Sequence, residues 1–216
     1  GQYHHDGVAY IAADLRTAGL DKQTLVFFSS DNGPWLVFDH HGGSAGPLRE
    51  GKGSTWEGGM RVPGIAWWPG QIAPGSVSDY PWAFWDILPT FAELGGAAIP
   101  PCDGRSFAPL LRGEKFESRR EDPLYWEFHE RGFSQAVRWD QWKAVRFNLS
   151  EDIEIYDLSS DPAETSNIAA GRPDQAGRQT LAIVEQDLEQ MLGRQPLMIA
   201  AQRQRLRRLH EAAGPL

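Results

Sequence analysis

The seven residues 24–30 (TLVFFSS) constrain this chain more than any other stretch. They are β-branched and aromatic with almost no polar interruption, the pattern of a strand buried on both faces and flanked by parallel neighbours. A helix precedes them: Val8, Ile11, Ala12 and Leu15 recur at i, i+3, i+4 and i+7, and Gly19 ends the run. Helix followed by buried strand indicates an α/β layered fold. A second strand is expected over 60–68 (MRVPGIAWW), broken by Pro63 and closed by Pro69-Gly70. It is the one obvious neighbour for the first, so the domain is expected to expose apolar sheet surface.

Further along, 86–94 (DILPTFAEL) reads as a helix closed by Gly95-Gly96, and Asp103-Gly104 as a turn before a short helix over 106–111. After a charged stretch at 113–121 the character changes. Short strands are expected over 124–128, 135–138, 142–147 and 154–158, with no helices between them, which predicts a small antiparallel sheet. Leu181, Val184, Leu188 and Met191 mark a closing helix, and Arg203, Arg205, Arg207 and Arg208 a solvated face beyond it. The division is therefore drawn as an α/β part at 1–115 and a C-terminal subdomain, antiparallel sheet plus helix, at 116–216.

Composition excludes several function classes. Of 216 residues, 21 are Lys or Arg and 29 Asp or Glu, a net charge of −8, which argues against a sequence-independent grip on nucleic acid. No apolar run approaches the ~18 residues of a membrane span. The single cysteine, Cys102, makes neither an internal disulfide nor a cysteine-rich zinc site. Nine Trp beside 23 Gly and 15 Pro point to loops that present aromatic surfaces.

The stretch 31–59 has no sustained period and is long enough to be there for a site. Two familiar patterns in it fail on context. GPLREGK at 46–52 has the P-loop spacing, but Gly53 stands where Ser or Thr must hold magnesium, and Pro47 removes a phosphate-cradling amide. GGSAG at 42–46 has the nucleophile-elbow spacing, yet no strand leads directly into Ser44 and no helix pattern follows it. Asp31-Asn32-Gly33 taken alone is a turn. At the carboxyl end of the buried strand, where ligands collect in α/β sheets, Asp31 and Asn32 also offer adjacent oxygen ligands for calcium or magnesium. Lys52, between Gly51 and Gly53, is either an exposed loop lysine or a compact positive charge that an anion can approach closely. His40 and His41 are loop punctuation or imidazoles that bind substrate or donate a proton.

Several segments in order resemble one family: Asp31-Asn32-Gly33-Pro34, then GSAGPLREGKG at 43–53, then EGGMRVP at 57–63, Trp68-Pro69-Gly70, DILPT at 86–90 and Asp103-Gly104. The series continues in LYWEFHE at 124–130, Ala136-Val137-Arg138, WKAVR at 142–146 and Tyr156-Asp157-Leu158. It is similar to the second half of the formylglycine-dependent sulfatases, of the arylsulfatase type in the alkaline-phosphatase-like superfamily, and covers nearly the whole chain. The resemblance implies an α/β/α sandwich, of which this chain carries the C-terminal part, followed by a small antiparallel sheet with a C-terminal helix. It implies metal ligands at Asp31 and Asn32 for a divalent cation, usually calcium, and a catalytic, sulfate-contacting lysine at Lys52. The family's nucleophile is a hydrated formylglycine made from Cys or Ser in a C/S-x-P-S-R signature, which this sequence does not contain; Cys102 lies in Pro101-Cys102-Asp103-Gly104-Arg105.

The activity that the resemblance implies is that of a sulfuric ester hydrolase acting on a sulfated carbohydrate or aryl sulfate. This chain is then a fragment that lacks the nucleophile, is inactive alone, and has the N-terminal half of its domain as partner. His40 and His41 are candidate substrate contacts, and Trp35, Trp56, Trp82 and Trp85 candidate sugar-stacking walls. Family habit points to a periplasmic, secreted or lysosomal location. Two other readings stay open: a phosphoester or phosphonate hydrolase of the same superfamily, and a non-catalytic carbohydrate-binding module.

Overall fold

The structure is a computed structural model that describes residues 2–116, 120, 122–129, 132–148 and 151–171. The closing helix expected around Leu181, Val184, Leu188 and Met191, and the arginines from Arg203 to Arg208, lie outside the described residues. The chain divides into two compact units, Gly1–Asp122 and Pro123–Leu216. No helix among the described residues is long and apolar enough to cross a membrane.

In the first unit α1 (Gln2–Thr17) ends as the Leu20 amide reaches back to the Leu15 carbonyl at 2.9 Å. Strand β1 (Val26–Ser29) then pairs with β2 (Gly64–Trp67), Val26 opposite Trp67 and Ser29 opposite Gly64. The pairing is antiparallel, and every residue of β1 is only half-buried, which corrects the expectation of a doubly buried strand with parallel neighbours. The physical reason lies in the connection. A parallel return needs a crossover, usually a helix, and between β1 and β2 the chain forms only a 3₁₀ segment, Leu36–Gly42, and the four-residue α2 (Glu57–Met60).

The apolar side of β1 is anchored through aromatic rings. Phe27 meets Trp82 edge-to-face at 5.2 Å, Phe91 edge-to-face at 6.1 Å, and Phe107 at 6.4 Å. Phe91 belongs to α3 (Ile87–Leu94), and Phe107 precedes α4 (Ala108–Leu111). One strand residue thus contacts α3 and the residue that leads into α4, each edge-to-face pair adding about 0.5–1.5 kcal/mol beyond its buried area.

Beneath this cluster sits the fully buried carboxylate of Asp86. It accepts hydrogen bonds from the Ala83 and Arg105 amides, each at 2.8 Å, and from both Arg120 Nη atoms, at 2.5 and 3.2 Å. The Thr90 hydroxyl donates to the Asp86 carbonyl at 2.6 Å and accepts the Phe107 amide at 3.0 Å. Three segments, at 83–90, 105–107 and Arg120, are thereby tied to one buried point. Tyr80 lies against the same pair: burial pushes its phenol above the ordinary 10.0, the Arg120 charge works against that, and Asp86 adds to it.

The second unit is a meander of β3 (Leu124–Phe128), β4 (Ser134–Trp139), β5 (Trp142–Arg146) and β6 (Glu154–Asp157), all antiparallel in sequence order. The antiparallel sheet expected from the short-strand pattern is present. Val137, Ala144 and Ile155 share one face, covered by Trp142, Ile153, Ile168 and Ala169. Lys143, whose side chain alternates to the other face, pairs with Glu164 at 2.8 Å, both fully buried.

Asp86→Ala leaves a buried guanidinium without its counter-charge and should lower unfolding free energy by about 3–5 kcal/mol, read as the shift in urea midpoint. Because the folded phenol of Tyr80 holds its proton to higher pH than the unfolded chain, the associated stability is complete below pH 10.0 and is lost as pH rises through the raised value. Urea titrations on both sides of that pH should show a loss of stability that Tyr80→Phe diminishes.

Candidate functional site

At the end of β1 the chain passes through Ser30, Asp31, Asn32 and Gly33 and packs backbone against backbone. The Gly33 amide donates to the Gly59 carbonyl at 3.0 Å, and a Cβ on Gly33 would fall 1.8 Å from the Gly58 oxygen. The Pro34 carbonyl accepts the Lys52 amide at 2.9 Å, and a Cβ on Gly51 would fall 2.3 Å from that same oxygen. The Gly58 amide closes the set by donating to the Arg49 carbonyl at 2.8 Å. Three passes of chain, at 33–34, 49–52 and 57–59, therefore meet at distances that only glycine permits. On the strand side, Ser29 Oγ donates to the Pro63 carbonyl at 2.8 Å and Ser30 Oγ to the Asn32 carbonyl at 2.8 Å.

This packing frames an open cleft of about 670 Å³ whose lining includes Asp31, Asn32, Trp35, Lys52 and Arg61. Asp31 and Lys52, twenty-one positions apart in sequence, share it because the Lys52 amide is bonded to Pro34, three residues beyond Asp31. Sequence reasoning passed over Arg61. This residue follows α2 directly, with its amide held to the Glu57 carbonyl at 2.7 Å, and the only signal for it was its place within EGGMRVP. Two cations and one carboxylate leave the lining with a local positive excess suited to an anion.

His40 and His41 lie on the 3₁₀ segment Leu36–Gly42; His41 is exposed and is not among the cleft-lining residues. The four tryptophans differ from one another. Trp35 lines the cleft, 43% exposed, with Phe38 edge-to-face at 4.6 Å and Lys52 Nζ 5.4 Å from its ring centre. Trp56 is 5% exposed beneath the Arg49 guanidinium at 3.6 Å, so it is a core residue and no stacking wall. Trp82 is taken up by Phe27, Phe84 and Phe107, while Trp85 is exposed but lies off this cleft.

As metal donors, Asp31 and Asn32 supply oxygen only, which suits a hard cation. Calcium takes ~6–8 oxygens, and among the described residues no group of three or more His, Cys, Asp or Glu comes close enough to hold a metal ion. The pair fits as part of a ligand set.

Residues 51–193 match the family described as "N-sulphoglucosamine sulphohydrolase, C-terminal", and residues 2–97 match the one described as "Sulfatase". The chain belongs to the sulfatase family. Steryl-sulfatase of Mus musculus is 41% identical over 154 residues, covering 65% of this chain and 24% of that protein. Arylsulfatase A of Homo sapiens is 38% identical over 178 residues, covering 71% of this chain and 35% of that protein. The chain thus spans about a quarter to a third of these two relatives. The crystal structure of Ps i-CgsB in complex with k-i-k-neocarrahexaose superposes with a TM-score of 0.72 at 28% identity, over 86% of this chain and 40% of that one. The architecture is accordingly the alkaline-phosphatase-like α/β fold of the sulfatases with its antiparallel C-terminal sheet, and the family's chemistry in general involves a metal ion and a formylglycine.

The glycine packing gives a paired test. Gly33→Ala drives a methyl into the Gly58 carbonyl and should cost about 1–3 kcal/mol of stability. Gly7→Ala, within α1 and with nothing inside 4 Å of the added carbon, should gain about 0.5–1 kcal/mol. Chemical denaturation of the two variants checks the contrast in sign.

Proposed function

We propose that the chain is part of a sulfuric ester hydrolase, and that the cleft at the end of β1 is where the sulfate ester binds. The observation that carries this reading is the gathering of Asp31, Asn32 and Lys52 on one cleft with a positive excess. In it the Asp31 carboxylate and the Asn32 side-chain oxygen would hold a divalent cation, to which we assign calcium. Bound there, the cation would neutralise charge on the sulfate oxygens. Lys52 holds the sulfate as a point charge and offsets the negative charge that grows on the ester oxygen as the alcohol departs. The hydrogen bond that its backbone amide donates to the Pro34 carbonyl keeps the lysine backbone in place during that change.

The substrate we assign is a sulfated carbohydrate or an aryl sulfate. Support comes from the names of the relatives, a steryl-sulfatase and an arylsulfatase, and from the oligosaccharide bound to Ps i-CgsB. We assign the first compact unit to part of the catalytic domain and the second to the C-terminal subdomain. The nucleophile belongs to a C/S-x-P-S-R segment, which this sequence does not contain.

Calorimetric titration tests the assignment. Lys52→Ala should weaken inorganic sulfate binding by roughly tenfold or more, the loss of one charged hydrogen-bond donor, and Asp31→Ala should abolish calcium binding. Sulfate affinity indifferent to Lys52 would refute the site. The purified chain should not turn over a chromogenic aryl sulfate, and turnover with contaminating sulfatase excluded would refute the assigned nucleophile.

A further inference from the structure

The cleft has an apolar wall that an anion alone does not require. Trp35 stands beside Lys52, and its surroundings hold it ready. Its amide donates to the Gly42 carbonyl at 3.0 Å, and its carbonyl accepts the Phe38 amide at 3.0 Å. A Cβ on Gly42 would fall 1.9 Å from the Trp35 oxygen, so that backbone contact is as close as those beneath the cleft. Phe38 then props the indole edge-to-face at 4.6 Å. With its backbone clamped and one side of its ring braced, the indole loses little further freedom when a ligand lies on it. It nonetheless remains 43% exposed, in a position where a large aromatic side chain gains nothing for stability by facing water.

The Lys52 ammonium lies 5.4 Å from the indole centre, close enough for the ring to attract it. An anion drawn to Lys52 therefore arrives next to the ring. If the sulfate oxygens take the ammonium, the carbon skeleton attached to the ester oxygen is left beside the indole, and an apolar ring surface replaces the cation that the indole gives up. Both partners of the original contact are then engaged by one ligand.

We propose that Trp35 is a binding platform: the ring that carries the sulfate ester stacks on the indole while Lys52 holds the sulfate. This rests on the sulfate-ester reading of the cleft and extends it to the alcohol half of the substrate. The shared chemistry is a ring with an apolar face, supplied either by the C–H face of a pyranose or by an aromatic ring.

The test uses the purified chain with calcium and three probes: inorganic sulfate, a glucosamine sulfate monoester and nitrophenyl sulfate. Calorimetry on Trp35→Ala should show ring-bearing probes weakened roughly two- to tenfold, the span expected from one stacking contact, with inorganic sulfate unchanged. Trp35→Phe should retain most of the ring affinity. Loss for one ring-bearing probe only supports the platform and names the ring class. Unchanged affinity for both ring probes overturns it, and so does an equal loss for inorganic sulfate, which would make Trp35 a residue that merely shapes the cleft. Lys52→Ala separates the two layers of the argument. It should weaken all three probes, and if inorganic sulfate is unaffected, or if no probe binds the parent chain, the sulfate site itself fails and the platform with it.

Discussion

The structure of the cleft depends on carbonyl oxygens sitting where a Cβ would be. Gly33 against Gly58, Gly51 against Pro34 and Gly42 against Trp35 are three such contacts, and each would be closed to any other residue. Because backbone rather than side chains sets the spacing, the relative position of Asp31 and Lys52 has few degrees of freedom. Long side chains hold geometry only as well as their rotamers do, whereas these backbone hydrogen bonds are fixed at about 3 Å. The functional side chains are therefore free to point into solvent without losing their registration to each other.

Electrostatics sets the second condition. The whole chain carries −8, a net charge that disfavours anion binding in general. Lys52 and Arg61 reverse the sign locally in the cleft lining, and salt screens exposed charges beyond a Debye length of about 8 Å at physiological ionic strength. Beyond that distance an approaching anion meets little of either field. Capture then depends on what the cleft offers at contact, which is where an aromatic wall beside the lysine adds something charge alone does not.

Much of this was readable from sequence, and the parts that were not have physical causes. The meander β3–β6 was visible because short alternating runs bounded by turns have few alternatives, and Asp31-Asn32-Gly33 because it closes the most apolar strand. The direction of β2 was not visible: GIAW satisfies a parallel or an antiparallel partner equally well, and what decides is the absence of a crossover helix in the intervening 34 residues, 30–63. Arg61 was hidden because a single arginine after a short turn looks like any solvated residue. Four tryptophans likewise carried the same local signal, although Trp56 is sealed under Arg49 and Trp35 is open. Nor does adjacency to a glycine-rich loop say which way a histidine faces, and His41 does not line the cleft.

The Asp86–Arg120 pair reaches 34 residues along the chain, and Arg120 sits two positions before the end of the first unit. Arg120 is consequently pinned to the interior of that unit. Recombination or engineering that exchanges the C-terminal sheet keeps this pair native when its junction falls after Arg120. A junction a few residues earlier takes position 120 from the incoming chain, and any residue there other than arginine leaves the buried Asp86 carboxylate without its counter-charge.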